Sequence, residues 1–335
     1  MVCFKNFEIE VLNLIKFTIL FLLLCDCLSL HGKPEFRVEL SDFKLGTKIH
    51  LIVYHADSIF ARNKLEEAVC IIDSLNSIFS DYEEASELNR LSRSSGNKSA
   101  FHVSNELFSL IDTALYISYL TDGAFDITCG PLTHLWRENK TKGRIPSKKK
   151  ICQNLKNVGY KFVQLNTHNS TVLLLKKGMQ LDAGGIAKGY IADIIGKFLR
   201  REGLPSYMID LGGDIATGRP PPGKPGWSIR MPGNGIIHLA NKAIATSGPD
   251  YQFIVYKSKK YSHIIDPRTG WGVTDPRTVT VINRSGMMAD ALASAFSVIS
   301  ISESIVKLNR FVQTSVYIKE NSKKFVSEEF PEISY

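Results

Sequence analysis

Tyr261-Ser262-His263-Ile264-Ile265-Asp266-Pro267-Arg268-Thr269-Gly270 places a histidine, a carboxylate, an arginine and a proline-forced turn in one short segment. An imidazole titrates near neutrality and takes a proton from a hydroxyl, so His263 is a candidate general base. Asp266 would either orient it or cap the Pro-Arg-Thr-Gly turn. The plainer alternative is a hydrogen-bonded histidine beside a turn. Farther on, Asp290 and Ser294 lie one helical turn apart, which puts their oxygens on one face. A carboxylate and a hydroxyl, completed by backbone carbonyls, phosphate and water, form a donor set that Mg²⁺ accepts. Here the alternative is that Asp290 stands in the first turn of its helix and only complements the dipole.

A third stretch, Leu181-Asp182-Ala183-Gly184-Gly185-Ile186-Ala187-Lys188-Gly189-Tyr190-Ile191-Ala192-Asp193, joins an extended segment to a helix. Val172 to Leu175 before it reads as a strand, and Ile191, Ile194, Ile195 and Phe198 recur at helical spacing after it. The glycines therefore fall at a helix N-terminus, where free N–H groups and the macrodipole favour an anion. Lys188 adds a formal charge. Alternatively Gly184 and Gly185 only turn the chain and Lys188 is solvated. The Gly-x-Gly-x-x-Gly spacing of a Rossmann site is absent here. Ala124, Phe125 and Asp126 sit between Gly123 and a Gly130-Pro131 turn, either as core or as the lining of a ligand pocket.

These groups need a scaffold, and the composition allows one. The chain has 335 residues, 44% of them hydrophobic and 22% charged, which suits a globular protein with a large core and excludes a disordered or fibrous one. The net charge of +8 comes from scattered lysines and arginines. The Lys148-Lys149-Lys150 run reads as a solvated loop, and without a basic stripe carrying aromatics no nucleic-acid partner is expected. Residues 1–30 read as an export signal: Lys5 and Lys16 precede the apolar run Phe17 to Leu24, which is short for a membrane span. Leu22-Leu23-Leu24-Cys25 resembles a lipoprotein cleavage site, although Leu24 is bulky, so Cys25 is a candidate membrane anchor. Cys70, Cys129 and Cys152 lack metal-ligand spacing and are expected as buried thiols, with one disulfide as an option.

Along the remaining chain, Leu45 to Tyr54 alternates as a strand, and Leu65, Ala68, Val69, Ile72, Leu75 and Phe79 mark a helix from about Ser58. Glu84 to Leu91 is loop-like or briefly helical. Ser104 is an N-cap for a helix ending near Leu120. Strands follow at Tyr207 to Leu211, Trp227 to Met231, Ile236 to Ala240, Ala243 to Thr246, Gln252 to Tyr256 and Thr278 to Ile282, then a helix from Met287 to Ile299. Strands outnumber and interrupt the helices irregularly, which predicts an α+β fold, not a regular βαβ wind.

Leu181 to Asp193, Gly123 to Trp136, Leu211 to Ile215, Thr246-Ser247-Gly248, His263 to Gly270 and Ala289-Asp290-Ala291-Leu292-Ala293-Ser294 stand in the order and spacing of the ApbE-type flavin transferases. The resemblance runs from Leu45-Gly46-Thr47 to the helix beyond Asp290. It implies a T-fold-like arrangement of mixed sheets with packed helices, forming one catalytic domain over residues 31–335. It also implies a Mg²⁺-dependent FAD:protein FMN transferase, which joins the FMN half of FAD through a phosphoester to a threonine of an exported acceptor protein and releases AMP. Such an acceptor would be, for example, a subunit of a membrane redox complex. The enzyme itself would lie at the periplasmic face of the bacterial inner membrane, lipid-anchored.

Carried over by motif, the resemblance assigns Leu45, Tyr82, Ala124, Phe125, Asp126, Asp182, Lys188 and Ile264 to FAD binding. It assigns Gly185 (through its carbonyl), Asp290 and Ser294 to Mg²⁺, and His263 to activation of the acceptor threonine. Ser294 stands where the family usually has threonine, Leu45 where it has methionine and Asp210 where asparagine is common. Two other functions fit the same residues: a Mg²⁺-dependent FAD pyrophosphatase giving FMN and AMP, and a non-catalytic flavin-binding lipoprotein.

Overall fold

The computed structural model describes residues 34–248, 253–256, 259–274, 277–321 and 323–334; the leader, Cys25 and Gln252 lie outside these. The elements run β1 (Phe36–Lys44), β2 (Thr47–His55), α1 (Ser58–Phe79), α2 (Glu87–Arg93), β3 (Phe101–His102), α3 (Asn105–Leu120), α4 (Gly130–Thr141), α5 (Lys148–Leu155), β4 (Val163–Asn166), β5 (Thr171–Leu174), α6 (Ala187–Arg201), β6 (Tyr207–Leu211), β7 (Asp214–Thr217), β8 (Trp227–Arg230) and β9 (Ile236–Leu239). Then come β10 (Ala243–Ser247), β11 (Phe253–Tyr256), β12 (Lys259–Ser262), β13 (Thr278–Asn283), α7 (Gly286–Val298), α8 (Ile301–Leu308), β14 (Ser315–Glu320) and β15 (Lys323–Val326). The α+β expectation holds.

Eight strands form one sheet in the order β1-β2-β6-β7-β10-β13-β14-β15, antiparallel at every pairing. The period-two rule divides its residues between two faces. Ile209, Ala245, Val279, Val281, Val316 and Ile318 join the main core with α1, α3, α6 and α7. Ile244, Ile282 and Tyr317 point the other way, against the β8–β9 hairpin. A third cluster joins Leu132, Leu135 and Trp136 of α4 to Ile151 of α5 and to Ile265. Each large aliphatic side chain buried in these clusters contributes about 1.5–3 kcal/mol of transfer free energy, so the sheet is held from both sides. No helix among the described residues is long and apolar enough to cross a membrane.

Several local expectations are corrected. Leu45 and Gly46 are the tip of the β1–β2 hairpin, with φ of 54° and 70°. That backbone matches the two-residue turn whose twist suits antiparallel strands. β1 carries no clean alternation, because all but Leu40 of its side chains remain at least partly exposed. Gly130-Pro131 starts α4 instead of making a separate turn; a proline at a helix start gives up only an N–H that has no helical partner. The lysine run begins α5, capped by Ser147 and anchored by Ile151 alone. Asp290 stands beyond the first turn of α7, which starts at Gly286. All three described cysteines are free thiols, Cys70 and Cys152 exposed. Those two lie on outward faces beside the buried stripes of α1 and α5.

Candidate functional site

The site is built where α6 meets α7. Most helices here start on an Asp or Ser whose side chain accepts from the first turn, including Asp57, Ser86, Ser104 and Ser300. α6 follows the glycine turn and has no such cap from its own N-cap residue, Ile186. Its N–H of Gly189 donates instead to Asp290 Oδ2 of α7, at 3.2 Å. In return Asp193 of α6 accepts from Gly286 N at 2.7 Å, from Met287 N at 3.2 Å and from the Ser285 hydroxyl at 2.7 Å, closing the start of α7. The approach requires glycine on both sides: a Cβ on Gly286 would stand 2.6 Å from the Gly189 carbonyl oxygen, and a Cβ on Gly189 would overlap Gly286 still more.

One turn along, a Cβ on Gly185 would stand 2.9 Å from Ser294 Oγ and 3.5 Å from the Phe125 ring. Lys188 Nζ is ion-paired with Asp214 at the start of β7 and lies 4.0 Å from Asp290 Oδ2. Burial disfavours the lysine charge, but Asp214 and Asp290 outweigh it and raise the pKa above the ordinary lysine value. Burial and the Asp214 charge push the Asp290 carboxyl up to about 7, against the pull of Lys188 and the Gly189 N–H. A buried carboxylate under that strain gains from a cation. Asp290, the Ser294 hydroxyl and the Gly185 carbonyl are hard oxygen donors, the chemistry Mg²⁺ takes. No group of three His, Cys, Asp or Glu side chains among the described residues could hold a metal alone. Substrate phosphates and water would complete this set, as is usual for Mg²⁺. The residues fit the ion.

The second wall contains residues that sequence reasoning passed over. Asp182, buried, accepts from Gly184 N at 2.8 Å and from Arg137 Nη2 at 2.7 Å. Arg137 also pairs with Asp81, and its guanidinium lies 4.4 Å from the centroid of the Tyr82 ring. Although burial would raise the Asp81 carboxyl, His134 and Arg137 hold it below the usual range. Ala124 and Phe125 are buried. Asp126 is buried with its oxygens accepting from Thr128 N (2.8 Å), Thr128 Oγ1 (2.7 Å) and Tyr160 N (2.8 Å), so its carboxylate braces the segment that carries Phe125. Burial raises its pKa and those bonds partly offset the rise. No short-range sequence signal links Asp81, Arg137 and Asp182, since their positions are far apart in the chain.

His263 is exposed immediately past β12, and Ile264 half-buried beside it. Ile264 O accepts from Val273 N at 2.8 Å and Ser262 N donates to Val273 O at 2.8 Å, so the segment is half of a small hairpin. Asp266 caps its turn: the carboxylate accepts from Arg268 N, Nε and Nη2 at 2.9, 2.9 and 3.1 Å. Capping the turn is thus one of the two roles expected for Asp266. One hydrogen bond ties the hairpin to α4, and Arg268 passes close to Gly123. The Trp136 indole N–H donates to Gly270 O at 2.9 Å, and Arg268 Cγ lies 3.8 Å from the position of a Cβ on Gly123. Leu45, half-buried at the β1–β2 turn, packs against the main core. Two residues on, Thr47 packs against Gly212, in the β6–β7 turn that leads to Asp214. The structure thus brings Gly185, Lys188, Asp290, Ser294 and Phe125 into one contact set. Tyr82 is linked to it through Arg137 and Asp182, while His263 and Ile264 lie on the hairpin bonded to α4 and Leu45 on the β1–β2 turn.

Comparison with known proteins identifies the family. The sequence model of the ApbE family matches residues 45–318. A Chlamydia muridarum protein named FAD:protein FMN transferase is 30% identical over 257 residues, spanning 75% of this chain and 81% of its own. A Treponema pallidum protein of the same name is 29% identical over 323 residues, spanning 88% and 87%. Among solved structures, the flavin transferase ApbE from Vibrio cholerae aligns with a TM-score of 0.79 at 26% identity, over 89% of this chain and 99% of that one. The ApbE protein from Thermotoga maritima gives 0.79 at 30% identity, over 88% and 97%. With the α6–α7 crossing, its glycine turn and Asp290 inside the matched span, this chain belongs to the ApbE family.

Proposed function

We propose that this ApbE-family transferase uses Mg²⁺ to move the FMN half of FAD onto a threonine hydroxyl of an exported acceptor protein, releasing AMP. The observation that carries this reading is the meeting of buried Asp290, Ser294 and the Gly184-Gly185 turn at one helix crossing, with Lys188 between two carboxylates. In the reaction the threonine oxygen attacks the flavin-side phosphorus, a new P–O ester forms, and the pyrophosphate P–O bond breaks with its electron pair going to AMP. The hydroxyl proton goes to His263. Bound Mg²⁺ would neutralise phosphate charge as a Lewis acid, held by Asp290, Ser294 and the Gly185 carbonyl. The half-buried N-terminus of α6 and Lys188 would face the same charge. Tyr82, Phe125 and the Leu45 and Ile264 turns would contact the dinucleotide.

We place the enzyme at the periplasmic face of the inner membrane, carried there by residues 1–30 and held by lipid on Cys25, beside an acceptor such as a membrane redox subunit. The decisive experiment incubates the protein with FAD, Mg²⁺ and a threonine-bearing acceptor. Covalent flavin on the acceptor with equimolar AMP supports transfer. Free FMN with AMP makes the protein a pyrophosphatase, and FAD recovered intact makes it a flavin carrier.

A further inference from the structure

Arg137 ties together parts of the site that no sequence motif connects. Its guanidinium is shared by two carboxylates, Asp81 and Asp182, whose side chains keep only 6% and 8% of their exposure. The Nη2 hydrogen bond to Asp182, 2.7 Å long, sets the direction of the guanidinium, and the ion pair with buried Asp81 at the same nitrogen holds it from another side. The same group covers one face of Tyr82, at 4.4 Å from the ring centroid, while Tyr82 as a whole stays 77% exposed. An exposed tyrosine ordinarily samples several rotamers. Here one face is stacked on a fixed cation and the other is open to an aromatic ligand. The remaining oxygen of Asp182 accepts from Gly184 N at 2.8 Å, so a continuous chain runs Tyr82, Arg137, Asp182, Gly184 from the open ring to the turn before α6. His134, with Nε2 3.5 Å from Asp81 Oδ2, supports the buried end.

We infer that Arg137 is a positioning residue: it presents Tyr82 as the platform for an aromatic ring of FAD and holds that platform in register with the phosphate-binding turn at Gly184. This rests on the FAD reading proposed above. Lysine at 137 would keep a cation near Asp81 and Asp182 but lose the planar group over Tyr82 and the directed donor to Asp182, which separates folding from positioning.

The test compares wild type with Arg137→Lys, Tyr82→Ala and the double variant, measuring the melting temperature, the FAD dissociation constant, and KM and kcat for AMP release. Arg137→Lys should melt close to wild type, with FAD affinity weakened about 2- to 30-fold, the span of a cation–π contact of 0.5–2 kcal/mol. KM should rise with it and kcat at saturating FAD should stay nearly unchanged. Because Arg137 acts through Tyr82, the double variant should bind FAD no more weakly than Tyr82→Ala alone. Wild-type affinity in Arg137→Lys, or additive losses in the double variant, overturns the inference. Wild type that neither binds nor cleaves FAD overturns the functional reading beneath it.

Discussion

Asp193 and Asp290 cap each other's helices: Asp193 stands on α6 and closes the start of α7, while Asp290 stands on α7 and accepts the Gly189 N–H of α6. The pairing fixes the crossing that both glycines permit. It also means that the proposed metal-binding carboxylate is positioned by a residue outside the site. Loss of Asp193 would therefore be felt at Asp290, although Asp193 itself bonds only the start of α7.

Asp193 supplies a pH-dependent prediction. Burial raises its pKa above the ordinary carboxylate value, and the bonds from Gly286, Ser285 and Met287 offset this only in part. The folded state therefore holds this proton more tightly than the unfolded state, whose value is about 3.9. Its contribution to stability is fully present below that pH and is lost as pH rises through the folded value. Asp193→Asn cannot titrate and puts an amide N–H₂ among donors, so it should be less stable by about 1–3 kcal/mol. Its deficit should shrink as pH rises across the window. Urea denaturation of both proteins at several pH values measures this, and a deficit that grows with pH refutes it.

The metal assignment predicts a division between neighbouring side chains. Asp290→Ala removes the charged donor and should abolish Mg²⁺-dependent AMP release while FAD still binds. Ser294→Thr keeps the hydroxyl and should be tolerated. Chelation of Mg²⁺ in the wild type should reproduce the Asp290→Ala loss, and re-addition should restore it. Full turnover by Asp290→Ala in added Mg²⁺ would remove Asp290 from the metal site.

Much of this was readable from the chain itself. Asp290 and Ser294 declare a shared face by their spacing, and Ser104 accepts from Leu107 N as an N-cap should. Leu45 shows where local reading fails: its place at φ 54° is set by β1, a mostly exposed edge strand with no alternation to announce it. Arg137, Asp81 and Asp214 were silent for a different reason. Their meaning lies in partners brought from distant positions, Asp182 for Arg137 and Lys188 for Asp214. Gly130-Pro131 misled because proline ends one helix and starts another equally well.

Lys188 carries a prediction that its partners sharpen. Lys188→Met keeps much of the apolar stem and deletes the cation between Asp214 and Asp290. Removing one partner of a buried ion pair typically costs about 3–5 kcal/mol, here reduced because the side chain stays 30% exposed. FAD affinity should fall by roughly 1–3 kcal/mol where the lysine also meets phosphate. Lys188→Met, Asp214→Asn should regain stability without regaining FAD affinity. Unchanged affinity in the single variant would assign Lys188 to the ion pair alone.

The last prediction concerns His263, which is exposed beside an Asp266-capped turn and so within reach of an acceptor protein. A threonine hydroxyl is a poor nucleophile at neutral pH, and a positioned base contributes about 10²–10⁴-fold. His263→Ala should therefore reduce FMN transfer by that order while FAD affinity and melting temperature stay near wild type. A protonated imidazole cannot accept the threonine proton, so wild-type transfer should decline as the solution is acidified with acceptor, FAD and Mg²⁺ saturating. The decline should vanish from the residual activity of His263→Ala. Two results count against the assignment. Near wild-type transfer by His263→Ala would leave Mg²⁺ as the activator of the hydroxyl. FAD binding lost in proportion to transfer would make His263 part of the dinucleotide pocket, alongside Ile264.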